Sequence, residues 1–213
     1  MKILCTGLNY LPHIREMGNE PPAEPLLFAK FATAVIGPGE AIVLPPEADH
    51  VDAEAELAVE IGRSGRRIRA DDALEFVRGY RCANDVSARN LQYGDKQWTR
   101  GKNFDTFCPV GDRLVPVSEL GDGSGLRVVQ RLNGVMLQDG NTADLVFDIR
   151  RLVAHASSFC TLEPGDLILT GTPSGVGHAR TPPVSLADGD VVEIEIDGIG
   201  VLRNPVVAER RAG

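Results

Sequence analysis

Two glutamates stand two residues apart in the run Asp52-Ala53-Glu54-Ala55-Glu56-Leu57-Ala58-Val59. Side chains alternate along a strand, so Glu54 and Glu56 emerge on one face, a single pleat apart. Like charges held that close repel each other unless solvent or a cation lies between them. One answer is a solvated strand face; the other is oxygen ligation of a hard cation. The alternation speaks for the cation, because Ala55, Leu57 and Val59 make the opposite face apolar while Ala58 continues the carboxylate face toward Glu60. Asp85 ends the run Gly79-Tyr80-Arg81-Cys82-Ala83-Asn84-Asp85. It offers either a third carboxylate ligand or an N-cap for the segment 87–92. Glu54, Glu56 and Asp85 together would form an all-oxygen set, which suits Mg²⁺ or Mn²⁺ better than zinc.

A second constellation is Leu11-Pro12-His13-Ile14-Arg15-Glu16-Met17-Gly18, where Pro near the start and Gly at the end punctuate one or two helical turns. His13 and Glu16 then share a face, and the carboxylate can hold the imidazole in one tautomer. That is how a histidine becomes an oriented general base; the alternative is a surface salt bridge. So short a helix is marginal alone, which suits a lid that orders over bound substrate. Lys102 follows Gly101 in a basic and aromatic stretch, either reaching a cleft or standing in solvent. Thr170-Gly171-Thr172-Pro173-Ser174-Gly175-Val176-Gly177 lets backbone amides approach an anionic group, though no phosphate-loop G-K-[ST] follows; otherwise it is a tight turn.

The elements that must position these groups read as mostly strands. Twenty-three Gly and 14 Pro separate short apolar runs, the texture of a β-rich fold with many turns. Strands are expected at 2–6, 41–44, 54–61, 80–85, 127–132, 166–170 and 191–196. Asn133-Gly134 and Asp197-Gly198 suit two-residue hairpin turns with positive φ. Helical periodicity marks 70–77 and 149–158, the latter with Ile149, Leu152, Val153 and Ala156 on one face. Residues 1–40 form a loop-rich N-terminal segment with the short lid helix, part of the same unit as a catalytic domain over 41–213. The chain of 213 residues is long enough for one well-buried core. Its formal net charge of −8 argues against a nucleic-acid partner or an anionic membrane surface. Four cysteines far apart, with no C-x-x-C pair, fit reduced thiols. With no leader-like or spanning apolar run, the expected location is the cytoplasm.

Taken in order, Gly7-Leu8-Asn9-Tyr10 leading to His13 and Glu16, Glu54-Ala55-Glu56-Leu57-Ala58, Asn84-Asp85-Val86-Ser87-Ala88-Arg89, Lys102-Asn103-Phe104-Asp105 and the 170–177 loop resemble the fumarylacetoacetate hydrolase family. The resemblance runs from about residue 6 to residue 207. It implies an α+β, mostly β fold, a mixed rolled β-sandwich with short capping helices, usually as a homodimer. It assigns Mg²⁺ or Mn²⁺ to Glu54, Glu56 and Asp85, and matches His13 and Glu16 to the mobile-helix dyad. Lys102 corresponds to the lysine that stabilises developing negative charge. Arg89, Gln92 and Thr172 correspond to positions that contact substrate. Asn90, Asn103 and Phe31 depart from the family pattern, where Asp, Ser and Pro are usual.

The resemblance implies an enzyme acting on a small 2-oxo acid through a metal-bound enolate. The expected reaction is carbon–carbon hydrolysis of an acylpyruvate (a 2,4-dioxo acid such as fumarylpyruvate or acetylpyruvate), with His13 activating water. Oxaloacetate decarboxylation and isomerisation of 2-hydroxyhepta-2,4-diene-1,7-dioate use the same enolate logic. A non-catalytic metal-binding scaffold on the same fold is the reading from another class.

Overall fold

Strand formation starts where β-branched and small apolar residues alternate with residues that need another environment. The computed structural model describes residues 1–210, so the end of the 41–213 segment lies outside the described residues. Strands are β1 (Ile3–Gly7), β2 (Leu26–Lys30), β3 (Val35–Ile36), β4 (Ile42–Leu44), β5 (Val51–Asp52), β6 (Ala55–Ile61), β7 (Val77–Asn84) and β8 (Ser87–Ala88). The chain continues with β9 (Cys108–Pro109), β10 (Val115–Pro116), β11 (Arg127–Leu132), β12 (Val135–Asn141), β13 (Leu167–Leu169), β14 (Val191–Ile196) and β15 (Gly200–Ala208). Helices are α1 (Leu11–Glu16), α2 (Arg89–Gly94), α3 (Trp98–Lys102), α4 (Val117–Leu120) and α5 (Ile149–Phe159). None is long and apolar enough to cross a membrane.

A six-stranded mixed sheet runs β10-β7-β6-β13-β1-β2, and a five-stranded mixed sheet runs β12-β11-β14-β15-β4. The main apolar core contains Leu57, Val59 and Ile61 of β6, Val128 and Leu132 of β11, Val192, Ile194 and Ile196 of β14, and Leu202 and Val206 of β15. Helix α5 adds Ile149, Leu152, Val153 and Ala156 to it, the period expected of a helix with one buried stripe. Asp148 caps α5 by accepting from the Arg151 amide at 2.8 Å. The mostly β fold with short helices is thus as expected.

Three local expectations need correction. Residues 70–77 form a 3₁₀ helix, Ala70–Phe76, and Val77 already begins β7. Of the three residues expected to face inward, Ala73 and Val77 are buried, while Phe76 is half-buried. The turn between β14 and β15 holds three residues, since Ile196 pairs with Gly200. Ile199 is buried in the core, so the loop lengthens by one to turn that side chain inward, with Gly198 at φ 74°. Asn133 and Gly134, at φ 52° and 79°, do make the two-residue turn between β11 and β12. Strands β2, β12 and β15 were not expected, because β12 is largely polar and Pro205 interrupts β15.

Candidate active site

The antiparallel pairing of β6 with β7 assembles the carboxylates. Ala55 pairs with Asn84 and Glu56 with Ala83. Just beyond the ladder the Asp85 amide donates to the Glu54 carbonyl at 2.9 Å, and the Glu54 amide donates to Asn84 Oδ1 at 3.0 Å. Glu54 itself precedes β6, but it keeps the alternation and joins Glu56. One oxygen each from Glu54, Glu56 and Asp85 lie within 4.8 Å of one another, and all three residues are buried. The solvated strand face is therefore excluded. So is the cap reading of Asp85: α2 starts after Ala88, and Asp85 faces two lysines instead.

Buried cations surround the carboxylates. Lys102 Nζ bridges Glu54 Oε2 at 2.8 Å and Asp85 Oδ2 at 2.7 Å. Lys30 Nζ donates to Asp85 Oδ1 at 2.6 Å. Arg89 donates to Asp52 Oδ2 at 2.9 Å, to Glu54 Oε1, and to Gln92 Oε1 at 3.0 Å. Asn103, one residue after Lys102, ties α3 to the end of β2 by accepting from the Phe31 amide and donating to the Ala29 carbonyl at 3.1 Å. Two departures from the family pattern, Phe31 and Asn103, thus meet, and between them they set Lys30 and Lys102 on either side of Asp85. The third departure, Asn90, donates to the Glu47 carbonyl at 3.0 Å.

The charges do not balance. Four buried carboxylates (Asp52, Glu54, Glu56, Asp85) face three buried cations (Lys30, Arg89, Lys102). The deficit falls on Glu56, whose Oε2 accepts the Gly171 amide at 2.7 Å. Burial, then Asp85 and Glu54, push the Glu56 carboxyl well above its ordinary range. Burial also opposes the charge of Glu54, but Lys102 and Arg89 outweigh it and hold that carboxyl well below the usual range. Lys102 is likewise desolvated, yet Asp85 and Glu54 hold it protonated beyond its ordinary value. A divalent cation held among the three carboxylates would supply the missing charge, and the all-oxygen donor set is of the kind that suits a hard cation.

The 170–177 loop does bring amides to anions, but the anions are the protein's own. Gly171 N reaches Glu56, Gly175 N reaches Glu16 Oε1 at 2.8 Å, and Gly177 N and His178 N reach Asp52, each at 3.0 Å. Gly171 and Gly175 both sit at φ 98°, where a side chain is strained. At Gly175 a Cβ would also meet the Leu137 carbonyl oxygen at 2.2 Å.

The dyad forms as expected on α1, with His13 Nδ1 3.0 Å from Glu16 Oε2. Burial resists ionisation of Glu16, but His13 and the Gly175 amide overcome it and lower its carboxyl pKa. His13, Glu54, Glu56, Asp85, Arg89, Gln92, Lys102 and Thr172 all line one cleft of about 350 Å³. Glu16 stands behind His13. Thr172 gives its hydroxyl proton to the Ala55 carbonyl at 3.0 Å and accepts from Gln138 at 2.7 Å, so its hydroxyl is already committed. Gln92 accepts from Arg89 and keeps its amide hydrogens for the cleft. Asp52 and Lys30 escaped sequence reasoning. Asp52 has no local pattern beyond opening the run toward Glu54, and Lys30 lies 55 residues from the aspartate it holds.

Comparison with known proteins agrees with this architecture. The family model for the fumarylacetoacetate (FAA) hydrolase C-terminal domain matches residues 2–207. A mitochondrial oxaloacetate tautomerase of Bos taurus is 50% identical over 208 residues, 97% of this chain and 66% of the relative. The chain therefore spans just under two thirds of that relative's length. The crystal structure of 5-carboxymethyl-2-hydroxymuconate delta-isomerase from Mycobacterium smegmatis superposes with a TM-score of 0.88 at 45% identity, covering 99% of this chain and 80% of that one. Fumarylpyruvate hydrolase from Pseudomonas aeruginosa, solved with Mn²⁺ and pyruvate, gives 0.89 at 32% identity over 98% and 90%. With the family model matched over residues 2–207 and the fold shared with these relatives, the chain belongs to the fumarylacetoacetate hydrolase family.

Proposed function

We propose that the protein hydrolyses the C3–C4 bond of an acylpyruvate, releasing pyruvate and a carboxylate. The observation that carries this reading is the placement of the His13–Glu16 dyad over the cleft whose floor is the three-carboxylate cage. Glu54, Glu56 and Asp85 would hold Mg²⁺ or Mn²⁺, which supplies Lewis-acid polarisation of the 2-oxo acid when bound. Glu16 accepts from Nδ1 and leaves Nε2 to take a proton from water, the role of an oriented general base. Water adds at C4, the C3–C4 bond breaks, and its electron pair leaves on the pyruvate enolate. Lys102 holds charge that develops on the enolate oxygen, and His13 returns the proton toward C3. Arg89 and Gln92 orient the substrate carboxylate. Arg89 has five N–H groups and one on Nη1 remains outside the bonds to Asp52, Glu54 and Gln92.

A second reading is keto–enol exchange of oxaloacetate, favoured by the 50% identity to a protein named for that reaction. It uses the same floor and needs no hydrolytic water. The reading also includes a homodimer and a cytoplasmic location, to be checked by sedimentation and by imaging the tagged protein. Product analysis on acetylpyruvate and oxaloacetate side by side, with Mg²⁺ present, tests the reaction. Stoichiometric pyruvate and acetate from acetylpyruvate support hydrolysis. Exchange or decarboxylation of oxaloacetate with no acetate from acetylpyruvate would replace it with the second reading.

A further inference from the structure

Three helices reach the cleft, and each presents a basic residue and, four positions from it, an uncharged residue that is largely apolar. The pairs are His13 and Met17 on α1 and its cap, Arg89 and Tyr93 on α2, and Lys102 and Trp98 on α3. Residues four apart on a helix lie on one face about one turn, ~6 Å, apart. The polar members surround the carboxylate floor, so the apolar members make a second ring one turn farther out. Phe28 joins the two levels: its ring lies 5.2 Å from Lys102 Nζ and 5.1 Å edge-on from Trp98. Trp98 in turn packs on Gly7, where a Cβ would meet its ring at 2.4 Å.

The cleft's basic groups are all paired at the inner level. Arg89 is paired with Asp52 and Glu54, Lys102 with Glu54 and Asp85, and His13 with Glu16. Among the described residues lining the cleft, no cation stands at the outer ring. A carboxylate placed there would find no cationic partner to offset its lost hydration, whereas a hydrocarbon would gain from burial against Met17, Trp98 and Phe28. We propose that the outer ring selects 2-oxo acids whose distal substituent, about one helical turn from the reacting carbons, is an uncharged alkyl or aryl group. The inference rests on the 2-oxo acid reading above and adds the class of tail. A four-carbon acid such as oxaloacetate ends within the inner ring and leaves the outer one unused.

Trp98 is the chain's single tryptophan, so its fluorescence reports occupancy of the outer ring without any turnover. Two non-hydrolysable isosteres, 2-oxo-7-methyloctanoate and 2-oxoheptanedioate, are titrated into the Mg²⁺-loaded protein. The methyl-branched acid is expected to bind at least ~10-fold more tightly and to perturb Trp98 emission. Tyr93→Arg, at an exposed position, is expected to narrow or invert that preference by giving the carboxylate a partner. Equal or tighter binding of the dicarboxylate by the wild type would overturn the tail assignment and leave the 2-oxo acid reading standing. Failure of both acids to bind would overturn the two together.

Discussion

The two faces of β6 are equally buried and oppositely made. Ala55, Leu57, Val59 and Ile61 enter the main apolar core, while Glu56, Ala58 and Glu60 face the other way. On the core face, burial itself is favourable, roughly 1.5–3 kcal/mol for a large aliphatic side chain. On the cleft face each charge must find a partner. Glu60 does so with Arg78 at 2.7 Å and Arg81 at 2.6 Å; Glu56, four residues away on the same face, receives one backbone amide. The difference separates what holds the strand from what the strand holds. One face stabilises the sheet strongly enough for the other to keep an uncompensated carboxylate pointing at a cleft.

If the faces divide labour in this way, damage to each should read out differently. The largest effect belongs to the cleft. His13→Ala is expected to lower kcat for acetylpyruvate hydrolysis by about 10²–10⁴-fold with little change in melting temperature. A comparable loss in both quantities would mean that α1 is a structural strut. On the core face, Leu57→Ala removes a fully buried side chain and is expected to cost about 2–5 kcal/mol in urea unfolding. The folded fraction should keep its Mg²⁺ affinity by calorimetry, and loss of that affinity would show that the faces are not separable.

A smaller effect concerns pH. In the folded protein the Glu16 carboxyl lies below its ordinary value of 4.5, through His13 and Gly175 acting against burial. A carboxyl lowered on folding contributes stability that is present above the unfolded value and lost as pH falls through the folded one. Thermal melts from pH 6 down to pH 3 should therefore show a shallower acid decline for Glu16→Gln than for the wild type. Identical slopes would remove Glu16 from the acid limb.

Much of this contrast was visible in the linear sequence because β6 writes it in alternation. Glu54, Glu56, Leu57 and Val59 needed only the pleat to be sorted onto two faces, and β11 and β14 were bounded correctly by the same rule. The α5 stripe at Ile149, Leu152, Val153 and Ala156 was equally plain. What alternation cannot carry is long-range partnership. Lys30 and Asp52 have no local pattern that marks them, since their roles arise when β2 and β5 are brought against residues distant in the chain. The glycines of the 170–177 loop suit either a cradle for anions or a tight turn, and nothing local says that the anions are Glu56, Glu16 and Asp52. Pro205 and Asn204 mask strand β15, and the apolar spacing of 70–77 suits either helical type, so it does not mark the segment as 3₁₀.

The central claim is that the cleft face of β6 is a cation site completed by Glu56. Thermal unfolding with and without Mg²⁺ tests it most directly, on the wild type, Glu56→Gln and Glu60→Gln. At Mg²⁺ near 100 times its dissociation constant, the wild type should gain about 2.7 kcal/mol, roughly 5–10 °C for a domain of this size. Glu60→Gln, already paired with arginines away from the cage, should keep that increment. Glu56→Gln should lose it without being less stable than the wild type in EDTA, because the substitution replaces a buried acid that has no cationic partner with a neutral side chain that can still accept the Gly171 amide. A wild type indifferent to Mg²⁺, or a Glu56→Gln variant that keeps the full increment, would contradict the account.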